Sequence, residues 1–288
     1  RIKAQDMKKA KRGYGPTLPG AVRVPYPNPY RDPYGWCDDG PAFRKYFDHM
    51  EGVIRANSTG SLAGVIVEPY QGAAGFIFPP EGWLKRLEEW IRANGLLFTL
   101  DEVQASYGRT GTMWAMEHED LKPDLVAIGK AIGCGVPVSA IGGTSEVFSC
   151  LKKGELSSTL GGNPVASAAV CAVLDIYEQE DLVGNAVRMG AHLKEGLLRI
   201  AEGSPYLGCV RGMGMVMGLE FVKDKATKEP ASGLIRPLIE RCANEGLLIG
   251  SVGVFGNVIR VAPPLVMTIE EADESLAAFE RAVATLSL

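Results

Sequence analysis

Between residues 62 and 143 four short, nearly continuous apolar runs alternate with helical patterns, and most of them stop at a charged or glycine residue. They are Leu62-Ala-Gly-Val-Ile-Val-Glu68, Leu96-Leu-Phe-Thr-Leu100, Asp124-Leu-Val-Ala-Ile128 and Pro137–Gly143. A half-exposed strand alternates apolar and polar residues, whereas a strand buried on both faces is apolar throughout. Helical patterns occupy residues 41–56 and Pro79–Asn94. In the latter Trp83, Leu84, Leu87, Trp90 and Ile91 form one face, and Gly95 suits the C-cap. Long helices follow at Asn163–Glu178 and Leu182–Ile200. Such alternation predicts an α/β fold with a mostly parallel sheet covered on both faces.

Past about residue 203 the texture changes. Val210–Val222 reads as a strand pair or a long bent strand, Ser232–Asn244 as a helix, Val258–Val261 as a strand and Thr268–Thr285 as a closing helix. That order is α+β. It divides the chain into a large domain over 1–180 and a linking helix with a smaller C-terminal α+β domain over 181–288, the boundary falling near 180–200. Residues 13–36 are rich in Gly, Pro and Tyr. Each Pro fixes its own φ and disfavours helix before it, so an extended surface loop is expected, either a spacer or an aromatic contact for a partner subunit.

Composition narrows the function classes. With 46% hydrophobic and 22% charged residues, the chain is an ordinary globular sequence and not a disordered one. Its net charge of −4 lacks the basic excess that a phosphate backbone attracts, so nucleic acid is not an expected partner. No apolar run approaches the roughly 18 residues that span a bilayer. The basic N-terminus, Arg-Ile-Lys-Ala-Gln-Asp-Met-Lys-Lys, has no apolar stretch behind it, so a cytoplasmic location is expected. The six Cys form no C-x-x-C pair and the three His are dispersed, which argues against a metal site. Cys171, in Ala-Val-Cys-Ala-Val, is expected to be a buried reduced thiol.

Open parallel sheets place their sites at the C-terminal ends of strands. Here three strands end in polar residues: Glu68, then Asp101-Glu-Val-Gln104, then Gly129-Lys130. A P-loop reading of Gly129-Lys130 fails, because the positions that require Gly and Ser or Thr hold Asp124 and Ala131. The run Gly212–Gly218 lacks dinucleotide-fingerprint spacing, and its glycines are expected at bulges or close contacts. Lys130 has apolar flanks. Desolvation lowers an amine's pKa and makes it nucleophilic enough for a Schiff base, although a surface lysine with a buried stem has the same local sequence.

Asp101-Glu-Val-Gln-Ala-Ser-Tyr-Gly-Arg-Thr-Gly111, followed by Pro123-Asp-Leu-Val-Ala-Ile-Gly-Lys130, resembles the signature of the class III pyridoxal-phosphate aminotransferases, the ω-amino-acid group that includes 4-aminobutyrate aminotransferase. Glu68-Pro-Tyr-Gln-Gly72 upstream, and Ser158-Thr-Leu-Gly-Gly-Asn-Pro164 and Ile259-Arg-Val-Ala-Pro-Pro264 downstream, extend the likeness in family order. The resemblance implies the fold of the fold-type I pyridoxal-phosphate enzymes. It implies pyridoxal 5'-phosphate held by Lys130 as a Schiff base, with Asp101 on the pyridinium nitrogen, Val103 against the ring and Gln104 near the ring hydroxyl. Thr159 would reach the cofactor phosphate of a neighbouring subunit in a homodimer or higher homo-oligomer. Glu68 and Arg260 would form a substrate switch, Arg260 binding a distal carboxylate when one is present and pairing with Glu68 otherwise.

The implied activity moves an amino group from an amine or ω-amino acid to a 2-oxo acid, pyruvate or 2-oxoglutarate. Racemisation, dialkylglycine-type decarboxylation on the same scaffold, and a truncated non-catalytic chain remain open, because the cofactor carries several chemistries. The sequence departs from the family at Ser106, where Gly is usual, and at Ala73-Ala74, where an acid and Gly are usual. The family's Gly-Ser/Thr-x-Ala phosphate loop is not found, so the N-terminal part of the large domain is expected to be missing and apolar surface to lie uncovered.

Overall fold

A computed structural model describes residues 15, 19–32, 34–37, 40 and 42–287. The basic N-terminal stretch and part of the 13–36 segment lie outside the described residues. Helix α1 (Arg44–Asn57) begins after Phe43, whose φ of 47° is left-handed. Strand β1 (Gly64–Val67) follows, then α2 (Trp83–Ala93), β2 (Leu97–Asp101), β3 (Leu125–Ile128) and β4 (Ala140–Gly143). Helix α2 starts later than its pattern predicts, because Gly82 just before it sits at a left-handed φ of 79° that a helix cannot contain. It buries the expected face of Trp83, Leu84, Leu87, Trp90 and Ile91, and Gly95 follows it at φ 64°.

The first sheet runs β1-β2-β3-β4. The β1–β2 and β2–β3 pairs are parallel, and β3–β4 is antiparallel, so the sheet is mostly parallel as expected. Met50, Ile91, Phe98 and Leu100, all fully buried, fill the space between this sheet and α1 and α2. Burial of side chains of this size contributes roughly 1.5–3 kcal/mol each. Coverage of both faces is not met. Strand β4 exposes Ile141, and an open groove of about 810 Å³ runs along Trp114, Val126, Ile128 and Gly142.

The segment before α1 corrects the sequence reading. Among the described residues it has no strand and a single 3-10 turn at Pro29–Arg31, but it is no surface spacer. Val22, Val24 and Trp36 are buried, the last two in the cluster around Met50. Tyr26 Oη donates to the carbonyls of Glu68 and Pro69, and Tyr46 Oη donates to Pro25 O at 2.9 Å. Prolines settle the backbone's shape, but the apolar side chains between them decide where it lies.

Helices α3 (Ser145–Ser149), α4 (Pro164–Gln179) and α5 (Leu182–Gly203) lead to a second sheet. Its strands are β5 (Leu207–Met213), β6 (Val216–Phe221), β7 (Gly250–Val252) and β8 (Val258–Val261), in the order β5-β6-β8-β7 and antiparallel throughout. Helices α6 (Ser232–Asn244) and α7 (Ile269–Ala284) complete this α+β part. Its core holds Leu193, Leu219, Phe221, Leu238, Ile259 and Phe279. Gly212 and Gly214 sit at positive φ around the β5–β6 turn, and the irregularity in strand pairing lies between Leu207 and Cys209. No helix among the described residues is long and apolar enough to cross a membrane.

Cys171 is a second correction: it is exposed, as are Cys134 and Cys150. Helix α4 is mostly apolar but buries only Ala166 and Val173, the latter against Ile132 and Tyr107. Its remaining faces, Val165 and Leu174 among them, stay open.

Candidate active site

Strand register builds the site. Val67 pairs with Leu100 and Asp101 with Ala127 across two parallel ladders. Glu68, Asp101 and Lys130 therefore leave three adjacent strands at one edge of the sheet, at the ends where open parallel sheets carry their chemistry. Each is fixed locally. Asp101 Oδ1 accepts from Val103 N at 3.2 Å, and Glu68 Oε2 accepts from Gly72 N at 3.1 Å. Lys130 opens a 3-10 turn after extended Gly129 and itself sits at φ 49°. A left-handed lysine is a backbone conformation that costs energy and recurs at functional sites. Val103 packs on Gly129: a Cβ there would meet Val103 Cγ1 at 3.2 Å.

Gln104 reaches the same place from β2. A Cβ on Gly72 would stand 1.7 Å from Gln104 Oε1, so only glycine lets the amide lie beside the turn that holds Glu68. Gly72→Ala is expected to displace the flexible end of Gln104 and not the backbone. Its unfolding free energy should fall by less than about 1 kcal/mol, while affinity for any ligand that Gln104 contacts drops several-fold. Denaturant melts alongside ligand titration check this; a large stability loss with unchanged affinity would contradict it.

The second sheet brings Arg260. In β8 it pairs directly with Gly218 of β6 and Gly250 of β7, so the three share one face. On that face a Cβ at Gly218 would meet Gly75 O at 2.6 Å, which places the loop after β1 against it. Four hydrogen bonds hold this contact. Arg211 Nε donates to Gly75 O and Phe76 O at 3.1 and 3.0 Å, its Nη2 donates to Gly75 O at 2.6 Å, and Gly253 N donates to Ala73 O at 3.1 Å.

Lys130 registers the whole arrangement. The residue is exposed in part, yet partial burial of its amine pulls the pKa below the ordinary lysine range. The carboxylates of Glu68 and Asp101 work against that fall, and the Arg260 guanidinium adds to it. Glu68, 130 − 68 = 62 positions before Lys130, and Arg260, 260 − 130 = 130 positions after it, thus act on one amine. Thr159 stands on the exposed loop between α3 and α4.

The family model described as Aminotransferase class-III matches residues 3–283. The chain belongs to the class III aminotransferase family. It is 36% identical to an alanine/serine racemase of Pyrococcus horikoshii over 95% of this chain and 58% of that protein. It is 37% identical to a 4-aminobutyrate aminotransferase of Mycobacterium leprae over 92% of this chain and 60% of that one. An amine transaminase from an uncultivated Pseudomonas species, solved in its PLP-bound internal aldimine form, superposes with a TM-score of 0.87 at 33% identity, covering 94% of this chain and 63% of that chain. The chain thus spans about three fifths of the length of these class III relatives.

Sequence reasoning missed Gly72, Arg211 and Glu102. Glu102 was legible: successive strand residues face opposite sides, so Asp101 and Glu102 cannot both face the site. Gly72 and Arg211 act through contacts between segments far apart in the chain, for which no local pattern exists.

Proposed function

We propose that this chain is the pyridoxal-phosphate-binding part of an aminotransferase that moves an amino group from an amine or ω-amino acid to a 2-oxo acid, pyruvate or 2-oxoglutarate. The observation that carries this reading is that Glu68, Asp101 and Lys130 leave adjacent strand ends at one edge of the first sheet, where the charges of Glu68, Asp101 and Arg260 all act on the Lys130 amine. The donor set fits the cofactor: an amine of lowered pKa for its aldehyde, a strand-end carboxylate for its ring nitrogen, an amide for its hydroxyl and a branched side chain for its ring face. When bound, pyridoxal phosphate supplies an electron sink for the electrons left as the substrate C–H bond breaks.

The chain's own residues do the rest. The Lys130 Nζ, whose hold on its proton is weakened by partial burial, would hold the cofactor through its aldehyde and would take up the proton from the substrate carbon. The Asp101 carboxylate would pair with the ring nitrogen. Gln104, wedged against Gly72, would hydrogen-bond the ring hydroxyl. Val103 would pack against the ring. Arg260 binds a substrate carboxylate bidentately, and Glu68 balances the guanidinium when the substrate has none. Thr159 would complete the phosphate site of a second copy in a homodimer, since its loop is exposed.

Racemisation is the second reading, favoured by the 36% identity to the Pyrococcus horikoshii protein named as an alanine/serine racemase. The two differ in where the proton returns. A donor screen with pyruvate and with 2-oxoglutarate, scored by new amino acid and by chiral analysis of the donor, separates them: transfer yields a new amino acid, whereas inversion of the donor without a keto product would contradict this proposal. In the same screen Arg260→Ala should reduce kcat/KM for carboxylate-bearing donors by about 10- to 100-fold and leave simple amines nearly unchanged. Equal losses for both would remove the carboxylate role.

A further inference from the structure

Glu102 has no role in the reaction described above, yet it lies between Asp101 and Val103 and is fully buried. Its backbone joins β3, with Glu102 N donating to Ala127 O at 3.0 Å. Its side chain reaches a distant turn: Oε1 accepts from Met116 N at 2.8 Å and Oε2 from Ala115 N at 3.1 Å. Those N–H groups open the 3-10 turn Ala115–Glu119, where backbone donors lack partners within the turn. Its carbonyl is held as well, by Ser106 N at 3.2 Å and by Ser106 Oγ at 2.7 Å. The Ser that stands where the family usually has Gly therefore adds a second bond to the same carbonyl.

We propose that Glu102 is a positioning residue for the cofactor: its buried carboxylate ties Asp101–Gln104 to the Ala115–Met116 turn and so sets how Asp101, Val103 and Gln104 meet the ring. The proposal rests on the pyridoxal-phosphate reading above. A buried carboxylate needs strong compensation. The charges that act on Glu102, those of Glu117 and Asp101, are both acidic, and burial pushes its pKa up to about 7 despite the two N–H donors. Two converging N–H bonds demand an acceptor at both oxygens, which only a carboxylate offers in this shape. A neutral amide satisfies one donor and sets its own N–H₂ against the other.

The test uses the chain loaded with pyridoxal phosphate. Glu102→Gln should speed hydrogen exchange of the Ala115 and Met116 amides, weaken cofactor binding by about tenfold, and move the pH midpoint of the bound cofactor's visible band, with the far-ultraviolet spectrum unchanged. Ala115→Pro removes one donor from the other side. Proline is tolerated at the first position of such a turn, and Trp114 before it is already extended at φ −123°, ψ 136°. It should shift affinity and midpoint in the same direction by a smaller factor, and it decides the matter should Glu102→Gln not fold. Unchanged affinity and midpoint in a folded variant, beside a wild-type chain that takes its covalent label on Lys130, overturn the positioning role alone. A wild-type chain that takes no label on Lys130 overturns the cofactor reading and the positioning role with it.

Discussion

Lys130→Ala is expected to lower turnover by about 10³-fold or more, because one amine serves as both the attachment point and the base. Lys130→Arg should lose as much. Arginine keeps the positive charge that Glu68 and Asp101 favour, but its guanidinium neither gives up a proton at working pH nor attaches to an aldehyde. The pair separates chemistry from electrostatics: retained activity in Lys130→Arg would mean that charge alone is needed there. Neither substitution should cost much stability. Lys130 is exposed, and its left-handed φ of 49° is as strained with lysine as with alanine or arginine. Steady-state assays with chemical unfolding of the same samples check both halves.

The largest stability effect is expected at Glu220. Its side chain is 4% exposed, and Oε1 accepts from Arg31 Nε at 2.5 Å and Oε2 from Arg211 Nη1 at 2.6 Å. Asn257 Nδ2 adds a longer bond of 3.4 Å to Oε1. One carboxylate thus pairs with two guanidinium groups, one from the segment before α1 and one from β5. Truncation leaves both charges in a poorly solvated place, and breaking a buried pair in this way costs about 3–5 kcal/mol. Glu220→Ala should show that loss in denaturant melts. It should also loosen the loop at Gly75 and Phe76, which Arg211 holds through the opposite side of its guanidinium. Glu220→Leu should recover little, since it fills the space but leaves both cations unpaired. A loss below about 1 kcal/mol in Glu220→Ala would show the network to be solvated.

The parallel strand ends were legible in the sequence, because a fully apolar run closed by Glu68, Asp101 or Gly129-Lys130 has few other readings. The position of Arg260 was not. Nothing near residue 260 reveals that Gly218, its strand partner, makes room for Gly75 and so brings the second sheet to the end of β1. The antiparallel direction of β4 was equally hidden, since an apolar run carries no mark of polarity. Strand β7 escaped because Gly250-Ser-Val252 is three residues long with glycine at its head. The burial of Val22, Val24 and Trp36 and the exposure of Cys171 share one cause. Local sequence states what a segment can do, and its packing partners, distant in the chain, decide what it does.

Borohydride reduction of the chain after incubation with pyridoxal phosphate, followed by peptide mapping, addresses the central claim most directly. The geometry predicts one pyridoxyl label per chain, on Lys130. Labelling spread over several lysines, or concentrated on any other lysine, would contradict it.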